Sequence, residues 1–247
     1  MDLMHLAIIF ACLAAGGILK GATGAGAPVL AVPAIAMTFD VKFAVVILVV
    51  PNLLTNLWQG WRFRHALLPA PFVVGFAGAG AAGVVAGTVI LAFLSQQLLS
   101  LIVAGAVLAY ILVRIALPNW QIAYTLGQKL SVPMGFLAGL LQGASGLSAP
   151  ASLSFLNAMR LERPKFIGTI SAFFVAITSF QIVTLIHFGL LSAHYALISL
   201  AAFLPLFAFM PVGAALAKRF SRENFDRVIL VLLGCIALKL VYDALAG

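Results

Sequence analysis

Charged residues are scarce in this 247-residue chain: they make up 8% of it, and Asp and Glu together occupy 6 positions, whereas 64% of the residues are hydrophobic. The mean hydropathy is +1.19. Soluble domains carry about 25% charged residues, so this composition excludes a soluble domain and indicates an integral membrane protein. The formal net charge of +8 comes from basic residues in short stretches between apolar runs, which is typical of membrane proteins rather than of nucleic-acid-binding proteins.

Cysteine is almost absent as well. Cys12 and Cys235 stand alone in apolar stretches, without the CxxC spacing of redox or zinc sites. We therefore expect no metal and no cofactor. The opening segment MDLMHLAIIF lacks the basic region of a cleavable signal peptide, and we interpret it as part of the first membrane element.

Six uninterrupted apolar runs are each about long enough to cross a bilayer, which takes about 20 helical residues. These runs are 43–61, 70–93, 98–117, 166–187, 195–217 and 228–245. Two further apolar segments, 3–38 and 130–159, are interrupted by glycine and proline. The sequence therefore predicts an all-α polytopic membrane protein.

The two interrupted segments contain the same motif. Residues 17–28 read GILKGATGAGAP and residues 139–150 read GLLQGASGLSAP. We predict two homologous membrane repeats, 1–120 and 121–247, with no low-complexity linker between them. A duplication with broken helices at corresponding positions is typical of secondary transporters, whose binding site lies at the interface of the repeats.

The topology depends on whether each interrupted segment crosses the membrane. With eight spans, the loop Lys and Arg residues divide eight to four between the two sides. If each segment is instead a re-entrant hairpin, eleven share one side and Lys42 alone lies on the other. The eleven are Arg62, Arg64, Arg114, Lys129, Arg160, Arg163, Lys165, Lys218, Arg219, Arg222 and Arg227. The positive-inside rule favours the second arrangement, in which each repeat is a Gly-broken hairpin plus three transmembrane helices, and the repeats have inverted topology.

The glycine-rich interruptions predict backbone that leaves the helix at membrane depth, which is tolerated only where it is buried in protein or lines a wet cavity. Pro28 and Pro150 are placed to begin new half-helices in their first turns, whose free N–H groups favour an anion. Tight helix packing is the alternative for small-residue runs, and Lys20 has the alternative of extending to the interface. The site residues predicted in the motifs are Lys20, Gly21, Thr23, Gly24, Gly26, Gln142, Gly143, Ser145, Gly146 and Ser148.

The helix after the first interruption carries a polar face. Asn52, Thr55, Asn56 and Gln59 follow the spacing i, i+3, i+4 and i+7, which places them on one side of an apolar helix. Such a face either bonds neighbouring helices or lines a permeation path. We predict that Asn52 and Asn56 line the path, together with Thr178 in the corresponding helix of the second repeat.

The duplicated motif G-x-x-x-G-A-[TS]-G-x-[GS]-A-P, each copy followed by three apolar spans, closely resembles the TauE/SafE family of sulfite and organosulfonate exporters. The resemblance covers essentially the whole chain. It implies transport of small sulfur-containing or related organic anions across the bacterial inner membrane, with both glycine motifs near the substrate. Members of the family are usually described with seven or eight spans, so eight spans stay open as the alternative.

We therefore expect a multi-pass secondary transporter, an exporter by its resemblance, and not an enzyme. Its expected partners are a small anionic substrate and membrane lipid, without nucleic acid, and a homo-oligomer is left open. One alternative is an anion channel. Another is a rhomboid-type intramembrane protease, because residues 143–146 match the G-x-S-G nucleophile motif, with His187 or His194 as the base for Ser145. Against the protease, the first repeat has Thr23 at the equivalent position.

Overall fold

The computed structural model describes residues 3–219 and 222–246. This part of the chain contains ten helices and no strand. In chain order they are α1 (Leu3–Thr23), α2 (Ala27–Thr38), α3 (Val41–Arg62), α4 (Ala70–Phe93), α5 (Gln96–Ala116), α6 (Tyr124–Ser145), α7 (Ser152–Ala158), α8 (Arg163–His187), α9 (Ala193–Arg219) and α10 (Arg222–Ala246). Seven are long and apolar enough to cross a membrane, namely α1, α3, α4, α5, α8, α9 and α10. The expectation of an all-α polytopic membrane protein is confirmed.

Each of the six uninterrupted apolar runs forms a single helix with ends close to those predicted. The helices begin where the sequence supplies caps: the Asp40 carboxylate accepts the Phe43 N–H at the start of α3. The largest differences are at two helix starts: α6 begins at Tyr124 rather than at residue 130, and α10 begins at Arg222 rather than at residue 228. In α6 the added turns pack inside the protein, since a Cβ on Gly127 would lie 2.8 Å from Met159 Cε.

The first interrupted segment folds into a helical hairpin. The chain leaves α1 through residues 24–26, where both glycines adopt positive φ angles of 85° and 93°. A Cβ placed on Gly16 would lie 3.0 Å from the Ala31 Cβ, so α2 runs back along α1. The rings of His5 and Phe39 lie 5.2 Å apart. The two ends of this hairpin are therefore neighbours at one end of the bundle.

The second interrupted segment, α6 and α7, also turns back on itself. Gly146 ends α6 with a φ of 72°, and the Ile122 N–H donates to the Ala158 carbonyl at 2.9 Å. Pro28 lies in the first turn of α2 as predicted. The predicted start of a half-helix at Pro150 is wrong: α7 begins at Ser152, because residues 148–152 form an irregular turn before it.

The two hairpins exchange helix partners between the halves of the chain. Helix α1 packs along α9, and α6 packs along α4. The contacts are made backbone to backbone: a Cβ on Gly21 would lie 1.9 Å from the Met210 carbonyl oxygen, and one on Gly143 would lie 2.4 Å from that of Val84. Helices α3 and α8 pack together, as do α5 and α10.

The bundle has two ends, which we name after one residue in each. The Lys42 end includes the start of α3 and the α8–α9 connection, where the rings of Phe43 and Tyr195 lie 6.1 Å apart. The Arg163 end includes the α3–α4 connection and the start of α8, where the Leu68 N–H donates to the Thr169 hydroxyl at 3.1 Å. The open end of the first hairpin, where α1 begins and α2 ends, lies at the Lys42 end. The open end of the second hairpin, where α6 begins and α7 ends, lies at the Arg163 end.

Helix α3 is interrupted at its middle by Pro51, which has no N–H to donate to the Ile47 carbonyl. Ser199 of α9 replaces this bond. Its hydroxyl donates to the Ile47 carbonyl at 3.0 Å and accepts the Val50 N–H at 3.2 Å. The break in α3 is thereby satisfied by a side chain from the other half of the protein.

Candidate functional site

A chain of buried polar side chains crosses the centre of the bundle. Lys20 Nζ donates to Asn56 Oδ1 at 3.0 Å. Asn56 Nδ2 donates to Asn52 Oδ1 at 2.9 Å, and Asn52 Nδ2 donates to Thr178 Oγ1 at 3.1 Å. We call these four residues the polar ladder. It joins α1, α3 and α8, and therefore both halves of the chain.

The ladder runs from the middle of α3 and α8 toward the end of α1, where Lys20 is the eighteenth of 21 residues counted from Leu3. Asn52 is the twelfth of the 22 residues of α3, counted from Val41, and Thr178 is the sixteenth of the 25 residues of α8, counted from Arg163. Spacing of four residues places Asn52 and Asn56 on the same face of α3. Thr55, between them, instead donates its hydroxyl to the Pro51 carbonyl at 2.6 Å.

Lys20 introduces a positive charge into this centre. Its side chain is 1% exposed, so it does not extend to the membrane interface. Among the side chains that the structure describes, no carboxylate lies within 4.0 Å of its ammonium group. An ammonium has three N–H donors. Burying it without an opposite charge costs several kcal/mol. An anion next to Lys20 would supply both the charge and the missing hydrogen-bond acceptors.

The tips of the two hairpins lie side by side. A Cβ on Gly26 would lie 3.5 Å from Leu153 Cδ1, and one on Gly146 would lie 3.1 Å from Val32 Cγ2. Between the tips is a cavity of about 10 Å³, roughly the space that one water molecule occupies. Its lining includes Gly26, Pro28, Gln142, Leu147, Ser148 and Phe174.

Thr23 and Ser145 occupy equivalent positions at the tips and make equivalent bonds. The Thr23 hydroxyl donates to the Leu19 carbonyl at 2.8 Å, and the Ser145 hydroxyl donates to the Leu141 carbonyl at 2.7 Å. Each oxygen also accepts the backbone N–H two residues further on. The two hydroxyls thus close the last turns of α1 and α6. Both partners of Ser145 in the described chain are backbone groups, so it forms no Ser–His pair.

Two glutamines that were not predicted as site residues hold the tips in place. Gln59 Nε2 donates to the Gly24 carbonyl at 3.0 Å, and Gln181 Nε2 donates to the Gln142 carbonyl at 3.3 Å. Each glutamine lies on the helix that follows its own hairpin. The sequence shows that Gln59 and Gln181 continue the polar faces of α3 and α8, which could have indicated them as site residues. Their carbonyl partners could not be predicted, because these depend on how the hairpins fold.

The first tip has a second contact that the sequence analysis missed. Arg163 Nη2 donates to the Ala22 carbonyl at 3.2 Å. This carbonyl belongs to the last turn of α1, where a helix carries partial negative charge, so the guanidinium stabilises it. The first tip therefore reaches the Arg163 end of the bundle, whereas Gly146 of the second tip contacts Val45, near the Lys42 end.

The predicted site residues fall into four groups. The polar ladder contains Lys20, Asn52, Asn56 and Thr178. The tip cavity is lined by Gly26, Gln142 and Ser148. The turns are formed by Thr23, Gly24, Ser145 and Gly146. The helix contacts involve Gly21 and Gly143. Lys20 is not among the residues that line the tip cavity. The polar ladder is nevertheless linked to the first tip through α3, because Gln59 lies three residues after Asn56 and binds Gly24.

Three buried polar atoms near the centre have no hydrogen-bond partner in the described chain: Gln59 Oε1, Gln142 Oε1 and Ser171 Oγ. Within the same residues, no group of three or more His, Cys, Asp or Glu is placed to hold a metal ion. The chemistry that the described side chains offer is therefore hydrogen bonding by amides and hydroxyls around one buried ammonium.

Seven membrane-length helices and a buried polar centre define a multi-pass membrane protein. The chain belongs to the TauE/SafE sulfite exporter family: the family model described as Sulfite exporter TauE/SafE matches residues 8–240. This confirms the resemblance seen in the glycine motifs and supports membrane transport as the activity. No curated protein and no solved structure matches the chain.

Proposed function

We propose that the protein is a secondary transporter that exports small sulfur-containing or organic anions, such as sulfite or sulfonates, across the bacterial inner membrane. The anion binds beside the polar ladder and between the hairpin tips. One observation carries this proposal: Lys20 is wholly buried at the centre, bonds to the neutral Asn56 and has no carboxylate partner among the described side chains. An ionisable residue placed so deep in a membrane protein marks a substrate or ion pathway.

The tips supply the remaining contacts of the proposed site. Helix α2 begins at the cavity, with Gly26 as its cap and Pro28 in its first turn, so the positive end of its dipole favours an anion. Gln142 and Ser148 of the second hairpin line the same cavity. Binding requires the tips to separate, since the cavity has the volume of about one water molecule.

We further propose that the halves have inverted topology, each with a re-entrant hairpin and three spans. Three observations support this. The hairpins open at opposite ends of the bundle, the helix partners are exchanged symmetrically, and the Arg163 end holds eleven loop Lys and Arg residues against Lys42 at the other. By the positive-inside rule the Arg163 end faces the cytoplasm.

This arrangement provides a gate at each side. The first tip, held by Gln59 and Arg163, lies toward the cytoplasmic end. The second tip, held by Gln181, lies toward the opposite end. Release of the first tip would open the polar ladder to the cytoplasm, and release of the second would open it to the outside. Opening one tip at a time gives alternating access.

The test is sulfite flux in proteoliposomes for the wild type, Lys20→Met and Lys20→Arg. The Met variant keeps the bulk of the side chain but removes its charge, so we expect saturable flux to fall by about tenfold to a hundredfold, the value of one charge-assisted hydrogen bond. The Arg variant should retain part of the flux. The matched control is Lys239→Met, because Lys239 is exposed and paired with Asp243.

Normal flux in Lys20→Met would refute the placement of the anion. Flux that does not saturate and is not coupled to a gradient would favour a channel instead. The substrate can be identified separately by thermal-shift measurements with sulfite, thiosulfate, sulfoacetate, sulfolactate, taurine and simple carboxylates, because a ligand that binds only the folded protein raises its melting temperature.

A further inference from the structure

A second and much larger cavity opens at the Lys42 end of the bundle. Its volume is about 490 Å³, within the range of small-molecule sites. The walls come from the starts of α3 and α5 and from the connection between α8 and α9. They include Asp40, Lys42, Phe43, Gln96, Leu190 and Tyr195. We call this cavity the Lys42 vestibule. None of its residues belongs to the polar ladder or to the hairpin tips.

The vestibule combines one cation with polar groups that are already paired. Lys42, the one Lys or Arg among its described lining residues, donates to the Ala92 carbonyl at 3.0 Å. The carboxylate of Asp40 accepts the Phe43 N–H and is therefore engaged with the start of α3. Gln96 Oε1 accepts the Val41 N–H at 3.1 Å. The ammonium of Lys42 retains N–H donors for a ligand, whereas Asp40 keeps its negative charge but directs one carboxylate oxygen to the start of α3.

The vestibule lies next to the second hairpin tip along α3. Val46 forms part of its wall, and a Cβ placed on Gly146 at the tip would lie 3.1 Å from the side chain of the adjacent residue, Val45. The vestibule and the tip are therefore neighbours on one helix. An anion released past this tip would enter the vestibule before it reached the outside.

We propose that the Lys42 vestibule is a second, weak anion-binding site, separate from the polar ladder, that receives small oxyanions or sulfonates on the outer side of the second tip. Its role in export rests on the proposed function, but anion binding by the vestibule does not. The ammonium of Lys42 supplies the attraction, and the positive ends of α5 and α9, which begin at this cavity, add to it, whereas the start of α3 is capped by Asp40.

Anion enrichment is measured with a fluorophore inside the vestibule. Cys12 and Cys235 are first replaced by alanine, and Tyr195→Cys is then labelled with bimane, since Tyr195 lines the cavity and is 41% exposed. Quenching by iodide, an anion, is compared with quenching by neutral acrylamide. We expect Lys42→Gln to lower the iodide-to-acrylamide quenching ratio by about threefold, the effect of one unit charge a few ångströms away in water. High salt should remove the difference.

The matched control is Lys129→Gln, which removes a charge from α6 near the Arg163 end and should leave the ratio unchanged. Lys42→Gln with an unchanged ratio and a lower melting temperature would overturn the proposal, because Lys42 would then only cap the end of α4. Sulfite flux measured from each side separates the two hypotheses. If the wild type shows no flux but its quenching depends on Lys42, the transport hypothesis is refuted and anion binding in the vestibule stands. If the wild type shows flux but its quenching does not depend on Lys42, only anion binding in the vestibule is refuted.

Discussion

The repair of α3 by Ser199 gives a prediction whose size follows from the structure. Pro51 leaves the Ile47 carbonyl without its helical donor, and the Ser199 hydroxyl bonds both this carbonyl and the Val50 N–H. Ser199 is fully buried, so water does not replace it. The substitution Ser199→Ala would leave the buried Ile47 carbonyl without a partner.

The expected loss of stability is about 2 kcal/mol. Hydrogen bonds between membrane helices contribute about 0.6 kcal/mol on average, or about 1.2 kcal/mol for the two bonds of Ser199. Leaving the buried Ile47 carbonyl unpaired costs about 1–3 kcal/mol, and the expected loss lies within that range. Transport should fall as well, because Asn52 of the polar ladder follows Pro51 directly.

Reversible unfolding in mixed micelles, followed by circular dichroism, measures this loss. The matched control is Ser179→Ala, since Ser179 is exposed on α8 and its hydroxyl donates within its own helix to the Val175 carbonyl. That variant should change the free energy of unfolding by less than about 0.5 kcal/mol.

A double-mutant cycle with Pro51→Ala tests the cause. An alanine in place of Pro51 has an N–H that can bond the Ile47 carbonyl, so Ser199→Ala should cost about half as much in this background as in the wild type. An equal cost in the two backgrounds, or a cost in the wild type no larger than that of Ser179→Ala, would refute the repair of α3 by Ser199.

Three further predictions follow from the site and the topology. Asn56→Asp should give Lys20 an internal counter-ion and reduce sulfite flux by about tenfold or more while the protein stays folded; flux equal to that of the wild type would contradict the role of the ammonium. With inverted topology, an impermeant thiol reagent should label His194→Cys in intact cells and Arg64→Cys only after permeabilisation, and labelling of both from outside would exclude it. Gly146→Ala should lower the free energy of unfolding by about 1–2 kcal/mol, because a non-glycine residue is strained at a positive φ, as measured by the same unfolding assay.

The helices could be predicted from the sequence because each apolar run is as long as a membrane is thick. Seven membrane-length helices and a family match over residues 8–240 agree with that prediction. The pairing of Lys20 with Asn56 could not be predicted, since it depends on how the first hairpin packs against α3. Neither residue type nor spacing specifies a contact between side chains 36 positions apart.

The roles of the glycines were only partly predictable. Positive φ angles at Gly24, Gly26 and Gly146 agree with the expected breaks. Gly21 belongs to the same motif, but it lies against the backbone of α9, a helix from the far end of the chain. The error at Pro150 has a local cause: the Ala151 N–H bonds the carbonyl three residues back and the Ser154 N–H the carbonyl five residues back, so the backbone bonds after Pro150 depart from the regular helical pattern.

The exchange of helix partners has a consequence for the proposed alternating access. Helix α1 is packed against α9 at Gly21, and α6 against α4 at Gly143, with no room for a methyl group at either contact. We expect helices held this closely to move together. Each moving unit would then combine early and late sequence, and the division between the units would cross the predicted boundary between the repeats.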